Sequence, residues 1–246
     1  MASFDITTAS VQVPNEGLQI AAYLAMPNRE GKYPAVIVFQ EVFGVNDHIR
    51  TVTERVAREG YVAIAPAIYQ RVAPGFEVGY SDAELSLGRT YKLQTKVSEL
   101  LSDTQATIQY LRGLPQVKGD AIATLGFCFG GHVAYLAATL PDIKATASFY
   151  GAGIATTTPG GQEPTLSRTA DIQGTLYLFF GDQDPLIPVS EVEQIQSELT
   201  AQQVNHQIFR YPATHGFFCD QRESYQPEAA AAAWRAVQQL LRNTLA

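Results

Sequence analysis

The stretch Leu125-Gly126-Phe127-Cys128-Phe129-Gly130-Gly131 (LGFCFGG) follows the apolar run that starts at Ala121 and opens a segment, 130–140, with helical spacing. Strand, G-x-C-x-G-G, helix is the layout of a nucleophile elbow with Cys in place of Ser. A cysteine used only as a small buried hydrophobe has no need of glycine two residues before it and two after. A side chain held on a tight turn does, because Gly126 and Gly130 let the strand and helix backbones pass closely. The thiol then projects over the sheet edge at a helix N-terminus, where free N–H groups and the helix dipole favour thiolate. The competing reading is an inert cysteine in a phosphate-loop turn. No G-K-[ST] follows, so a P-loop is not supported.

The same alternation extends along the chain. Leu18–Ala25, Ala35–Gln40, Tyr61–Ala65, Ala121–Leu125, Ala145–Tyr150, Thr175–Phe180 and Val204–Tyr211 read as strands. Asp47–Glu59, Thr95–Arg112, Gly130–Leu140, Val189–Thr200 and the alanine-rich segment opened by Pro227 and Glu228 read as helices. Strands alternating with helices predict an α/β fold, a mostly parallel central sheet with helices on both faces. Arg71–Tyr91 reads as an irregular excursion and Ile154–Ala170 as an exposed loop. Neither is a clear linker, so a single domain over 1–246 is expected, with 71–91 as the candidate lid. Ligands of such folds bind beyond the carboxyl ends of the strands.

Composition narrows the function classes. Of 246 residues, 46% are apolar and 17% charged, enough for a well-buried core. A formal net charge of -7 argues against nucleic acid or an anionic membrane as partner. Two cysteines do not make a disulfide framework and fit a reducing compartment. The segment MASFDITTAS has neither a basic nor an apolar signal region, and no run approaches the ~20 residues of a membrane helix. A cytoplasmic protein is expected. No exposed apolar stripe demands an oligomer, so a monomer or weak homodimer is expected.

A thiol nucleophile needs a base. His132 lies inside the helix after the elbow, with a surface or packing role. His206 lies within a strand segment, and His48 sits beside Asp47 near a helix start, where it reads as local capping. His215, in the loop after the last strand, is where a catalytic base belongs. The strand TLYLFF runs into Gly181-Asp182-Gln183-Asp184-Pro185, so Asp182 and Asp184 compete as the orienting acid, and either could be a turn residue. The order Cys128, Asp182 or Asp184, His215 is nucleophile, acid, base. Glu41 follows the strand AVIVFQ, where the second half of an oxyanion hole would be built. Backbone N–H groups of Val42 and Phe129 are the candidate donors. A carboxylate at Glu41 would raise the pKa of a nearby thiol or take its proton.

Taken together, QEVFGVNDHI (40–49), GFCFGG (126–131), GDQDPLIP (181–188) and HGFFCDQRESYQPEAAAAAW (215–234) resemble the dienelactone hydrolase family, the carboxymethylenebutenolidases of the α/β-hydrolase superfamily. The resemblance covers nearly the whole chain. It implies Cys128 as nucleophile, His215 as base and Asp184, rather than Asp182, as acid. It also implies that Glu41 contacts Cys128 in the resting enzyme and helps form thiolate when substrate binds. A small-molecule ester or lactone is the implied substrate, with no cofactor and no metal. Family members hold a substrate carboxylate with arginines, and here the register departs: Leu87 stands four before Tyr91, and Cys219 four after His215. Arg89 and Arg222 are the nearest arginines. With Tyr91, Phe43 and Phe217 they make up the candidate substrate contacts. The leading expectation is hydrolysis of an enol lactone through a thioester. The alternatives are a general carboxylesterase or thioesterase on a neutral acyl substrate, and a non-hydrolytic thiol sensor.

Overall fold

The run from Ala35 to Phe39 is fully buried, and its side chains divide by alternation between two cores. Val36 and Val38 enter one; Ala35, Ile37 and Phe39 enter the other. A strand covered on both faces needs an apolar residue at every position. The computed structural model describes residues 3–161 and 163–245. It places this run in an eight-stranded sheet of β1 (Ile6–Asn15), β2 (Leu18–Pro27), β3 (Tyr33–Phe39), β4 (Val62–Pro66), β5 (Val117–Phe127), β6 (Ile143–Phe149), β7 (Thr175–Gly181) and β8 (His206–Tyr211). The order across the sheet is β1-β2-β4-β3-β5-β6-β7-β8. β2 pairs antiparallel with β1 and β4, and every other neighbouring pair is parallel. This mostly parallel sheet flanked by helices is the expected α/β-hydrolase fold.

The described residues form six α-helices: α1 (Asp47–Arg58), α2 (Asp82–Lys92), α3 (Val97–Arg112), α4 (Phe129–Ala137), α5 (Val189–Ala201) and α6 (Pro227–Leu245). The apolar stripes of α1, α5 and α6 pack into one core, with Ile49, Ile195 and Val237 among the residues they bury. Leu100, Ile108 and Leu111 of α3 and Val133 of α4 pack into the other. The alanines of α6 bring that helix close to β5, β6 and β7. Among the described residues no helix is long and apolar enough to cross a membrane.

Three segments differ from their sequence reading. β1 was not expected; it is an edge strand exposed along much of its length, so it lacks the apolar alternation that marks a strand. The segment 71–91 is not wholly irregular, since α2 occupies its second half. That helix starts with a capping box: Ser81 Oγ accepts from Glu84 N–H, and Glu84 accepts from Ser81 N–H at 2.9 Å. The segment 154–170 is not loop throughout, since a 3₁₀ helix runs from Thr165 to Asp171, just past its end.

Parallel pairing sends the carboxyl ends of β3, β5, β6, β7 and β8 to one edge. Glu41, Cys128, Tyr150, Asp184 and His215 all follow those ends within a few residues. The fold therefore assembles on one rim residues that are up to 174 positions apart, from Glu41 to His215.

Candidate active site

Cys128 is the turn between β5 and α4, with φ 54° and ψ -119°. Positive φ in a non-glycine residue costs on the order of 1–3 kcal/mol and persists only where the surroundings impose it. Here they do. A Cβ on Gly126 would collide with the Gly130 carbonyl, one on Gly130 with the carbonyls of Phe39 and Gln40, and one on Gly131 with the Phe149 carbonyl. Only glycine lets α4 start this close to β3, β5 and β6. Cys128 N–H donates to Phe149 C=O at 3.0 Å, which fixes the elbow to β6. The thiol is half-buried.

His215 is nearly buried. Its Nδ1 lies 2.7 Å from Asp184 Oδ2. The other carboxylate oxygen, Oδ1, accepts the Leu186 N–H at 2.8 Å, so both Asp184 oxygens are engaged. Asp182 faces outward and pairs with Arg210 at 2.6 Å. The two aspartates that sequence position could not separate are thus separated by direction. His215 Nε2 makes no well-directed hydrogen bond among the described residues, so the nearby Cys128 sulfur acts on it chiefly through charge. Burial disfavours the charged ring. The Cys128 thiolate and Asp184 outweigh burial and push the His215 pKa up to about 10.

Glu41 is fully buried. Its Oε1 accepts from Arg222 Nη1 at 3.2 Å, and Oε2 has no partner among the described residues. The carboxylate is therefore bonded to Arg222 and not to the Cys128 thiol. Arg222 was counted out of register, yet it reaches the site because the loop after His215 folds back. Gly216 has φ 81°, and a Cβ there would strike the Arg222 guanidinium. Burial works against the Arg222 charge, but Glu41 and then Cys128 outweigh it and raise its pKa. The guanidinium also lies 5.6 Å from the Phe43 ring centroid and 5.8 Å from that of Tyr80.

The backbone N–H groups of Val42 and Phe129 donate to no acceptor among the described residues. Phe129 N–H is free because it opens α4. The packing of Gly88 in α2 directly on the Val42 carbonyl holds the Val42 peptide in place.

The remaining candidates separate. Phe43 and Phe217 are buried, Phe43 against Tyr80 and Phe217 between Tyr150 and Tyr211, so both rings are taken up by packing. Tyr91 is half-buried against Phe76 and Tyr69. Arg89 is exposed and is not brought to the site. Cys219 is buried, its thiol donating to Tyr80 Oη at 3.3 Å, which ties the 71–91 segment to the loop of His215. His48 is not a cap. Asn46 caps α1, and His48 is buried edge-on against Phe127, near Glu41. One residue passed over in the sequence stands close enough to the sulfur to feel its charge: Tyr150, whose signal was its place just after β6. Lys92 Nζ lies 5.4 Å from the Phe129 ring centroid. A cavity of about 150 Å³ beside the elbow is lined by Lys92, Phe129, His132 and Thr158. A wider cleft of about 400 Å³, between Tyr23, Arg50 and Phe76, is lined by none of the candidate chemical groups. Among the described residues no group of His, Cys, Asp and Glu could hold a metal ion.

His132 has a structural part. It is buried in α4, with Nδ1 3.0 Å from the Ala152 carbonyl and Nε2 2.6 Å from Thr165 Oγ1. Burial holds its pKa down to about 4, against an ordinary 6.5. Between those values the unfolded chain binds a proton that the folded chain refuses, so stability must fall as pH drops through that window. The loss on reaching pH 4.5 is on the order of 2 kcal/mol. Urea midpoints of wild type and His132→Gln at pH 7 and pH 4.5 measure it: the variant should lose distinctly less stability over this interval.

The chain is similar to known proteins along nearly its whole length. The model of the dienelactone hydrolase family matches residues 20–245. A Synechocystis sp. protein provisionally named carboxymethylenebutenolidase is 60% identical over 98% of both chains. One from Yersinia pestis with the same provisional name is 33% identical over 91% of this chain and 83% of its own. The crystal structure of a protein from Klebsiella pneumoniae, provisionally named dienelactone hydrolase, superposes with a TM-score of 0.87. It is 29% identical and covers 97% of this chain and 99% of its own.

Proposed function

Because this chain belongs to the dienelactone hydrolase family and is a hydrolase of the ester and lactone type, we propose that it works through Cys128 as a covalent nucleophile, with His215 and Asp184 as base and orienting acid. The observation that carries the proposal is the strained Cys128 at the start of α4, facing an imidazole whose other nitrogen is 2.7 Å from a buried carboxylate.

The raised His215 pKa means that the ring carries its proton at neutral pH and faces the sulfur as a cation, which favours attack by the thiolate form. The thiolate adds to the carbonyl carbon, and the N–H groups of Val42 and Phe129 receive the oxyanion. Collapse breaks the bond to the leaving oxygen, which takes the His215 proton. A thioester to Cys128 remains. Once sulfur is acylated its charge is gone, and with it the largest influence raising the His215 pKa. The ring is then neutral and can accept a proton from water, which hydrolyses the thioester. Glu41 is the proposed acceptor of the thiol proton in enzyme that starts as the thiol, through its unbonded Oε2.

Arg222 favours an anionic lactone or ester as substrate, since it is the guanidinium within reach of both Glu41 and the sulfur. Outward-facing Arg89 favours the second reading, a neutral ester. Steady-state hydrolysis of cis- and trans-dienelactone beside a neutral p-nitrophenyl ester, with Cys128→Ala as the blank, decides between them. The proposal expects Cys128-dependent turnover with dienelactone preferred. Turnover of the neutral ester alone would move the chain to the general esterase reading.

A further inference from the structure

Tyr150 carries three features that core packing does not explain. It is an aromatic residue with φ 37°, a conformation that a bulky side chain adopts only under constraint. Its hydroxyl is buried and has no hydrogen-bond partner among the described residues. Leaving such a group unpaired costs on the order of 1–3 kcal/mol. Its ring packs edge-on against the His215 imidazole, centroids 5.0 Å apart. The backbone is held in place by Tyr150 N–H donating to Phe179 C=O at 2.8 Å.

Strain and an unpaired hydroxyl at one residue, against the proposed base, point to a partner that arrives with the reaction. Tyr150 Oη shares this lack of a partner among the described residues with other buried atoms at the strand ends, His215 Nε2, Glu41 Oε2 and the Gln40 amide among them. Burial, and then Glu41 and the two cysteines, hold the Tyr150 phenol well above the ordinary tyrosine range. It therefore stays protonated and serves as a neutral donor and acceptor, as a water molecule requires.

We propose that Tyr150 is a positioning residue for deacylation, its hydroxyl holding the water that His215 deprotonates. The water gives one proton to neutral His215 Nε2 while its oxygen adds to the thioester carbonyl carbon. The carbonyl re-forms, the C–S bond breaks, and its electron pair returns to Cys128 as thiolate. The carboxylic acid leaves. Acylation needs no water, so it does not depend on Tyr150.

This inference rests on the thioester reading, and its test separates the two. Tyr150→Phe keeps the ring, the volume and the backbone and removes only the hydroxyl. With a p-nitrophenyl ester, kcat should fall about 10- to 100-fold. KM should fall with it, kcat/KM should stay within about twofold, and a burst should appear. Intact-mass spectrometry during turnover should find acyl-enzyme accumulated in the variant, and hydroxylamine should discharge it faster than water. An unchanged kcat, or an equal loss in kcat/KM without accumulation, would overturn the role of Tyr150 and leave the Cys128 mechanism standing. Wild-type turnover with no acyl group ever on Cys128 would overturn both.

Discussion

Cys128→Ala is expected to abolish ester and lactone hydrolysis, by about 10⁴-fold or more, while the protein stays folded. The substitution removes one half-buried sulfur and leaves the glycines that build the elbow untouched. Alanine must adopt the same positive φ, so the strain of the turn is retained rather than worsened. Stability should change by no more than about 1 kcal/mol. The chemistry has no substitute, because the other cysteine, Cys219, is buried, bonded to Tyr80, and raised to about pKa 11, chiefly by burial. Cys128→Ser should also fold and be a poor enzyme. A hydroxyl supplies no anion to hold His215 protonated, and it needs a stronger base than this site was built around. Hydrolysis rates beside thermal unfolding curves for the three proteins test this; an active Cys128→Ala enzyme would remove the covalent mechanism.

The second large effect is expected at Asp184. Both of its oxygens accept: Oδ2 from the His215 ring and Oδ1 from the Leu186 N–H. Asparagine offers one acceptor and one donor. Whichever way its amide lies, an NH₂ group faces either the Leu186 N–H or the imidazole nitrogen. In the first case the turn after β7 loses its hydrogen bond. In the second the ring is forced into the tautomer whose Nε2 cannot accept a proton. Asp184→Asn should lower kcat about 10³- to 10⁴-fold with a much smaller change in KM. The His215 pKa should fall with it, since the carboxylate is one of the influences that raise it. The thiolate then loses part of its counter-charge, so alkylation of Cys128 by iodoacetamide at neutral pH should slow. Asp182→Asn, which touches only exposed Arg210, should leave both readings unchanged and serves as the control.

The elbow was legible in the sequence because its cause is local. Gly126, Gly130 and Gly131 are there for contacts made within a few residues or with adjacent strands, and the spacing records it. His215 was legible because parallel strands deliver their ends to one edge. The acid was not legible from position, because Asp182 and Asp184 both follow β7 within three residues and differ only in what they meet across space; the family resemblance alone chose Asp184. Arg222 was named as a candidate contact although counting along the chain put it out of register: a loop that turns at Gly216 makes residue number a poor guide to distance. α2 left a readable signal in Ser81 and Glu84, masked by the glycines around it. β1 left almost none, because an exposed edge strand needs little apolar periodicity. Tyr150 left one signal, its place just after β6, and that was not enough, since a tyrosine ending a buried strand looks like core until its backbone angle and unpaired hydroxyl are known.

The central claim is that an acyl group passes through Cys128. The direct measurement is rapid acid quenching of the enzyme during turnover of a p-nitrophenyl ester, followed by intact-mass analysis and peptide mapping. The account predicts one added acyl group, labile to hydroxylamine, on the peptide that contains Cys128, and none in Cys128→Ala. Steady turnover with the Cys128 peptide unmodified at every quench time, or an acyl group mapped to another residue, would contradict it.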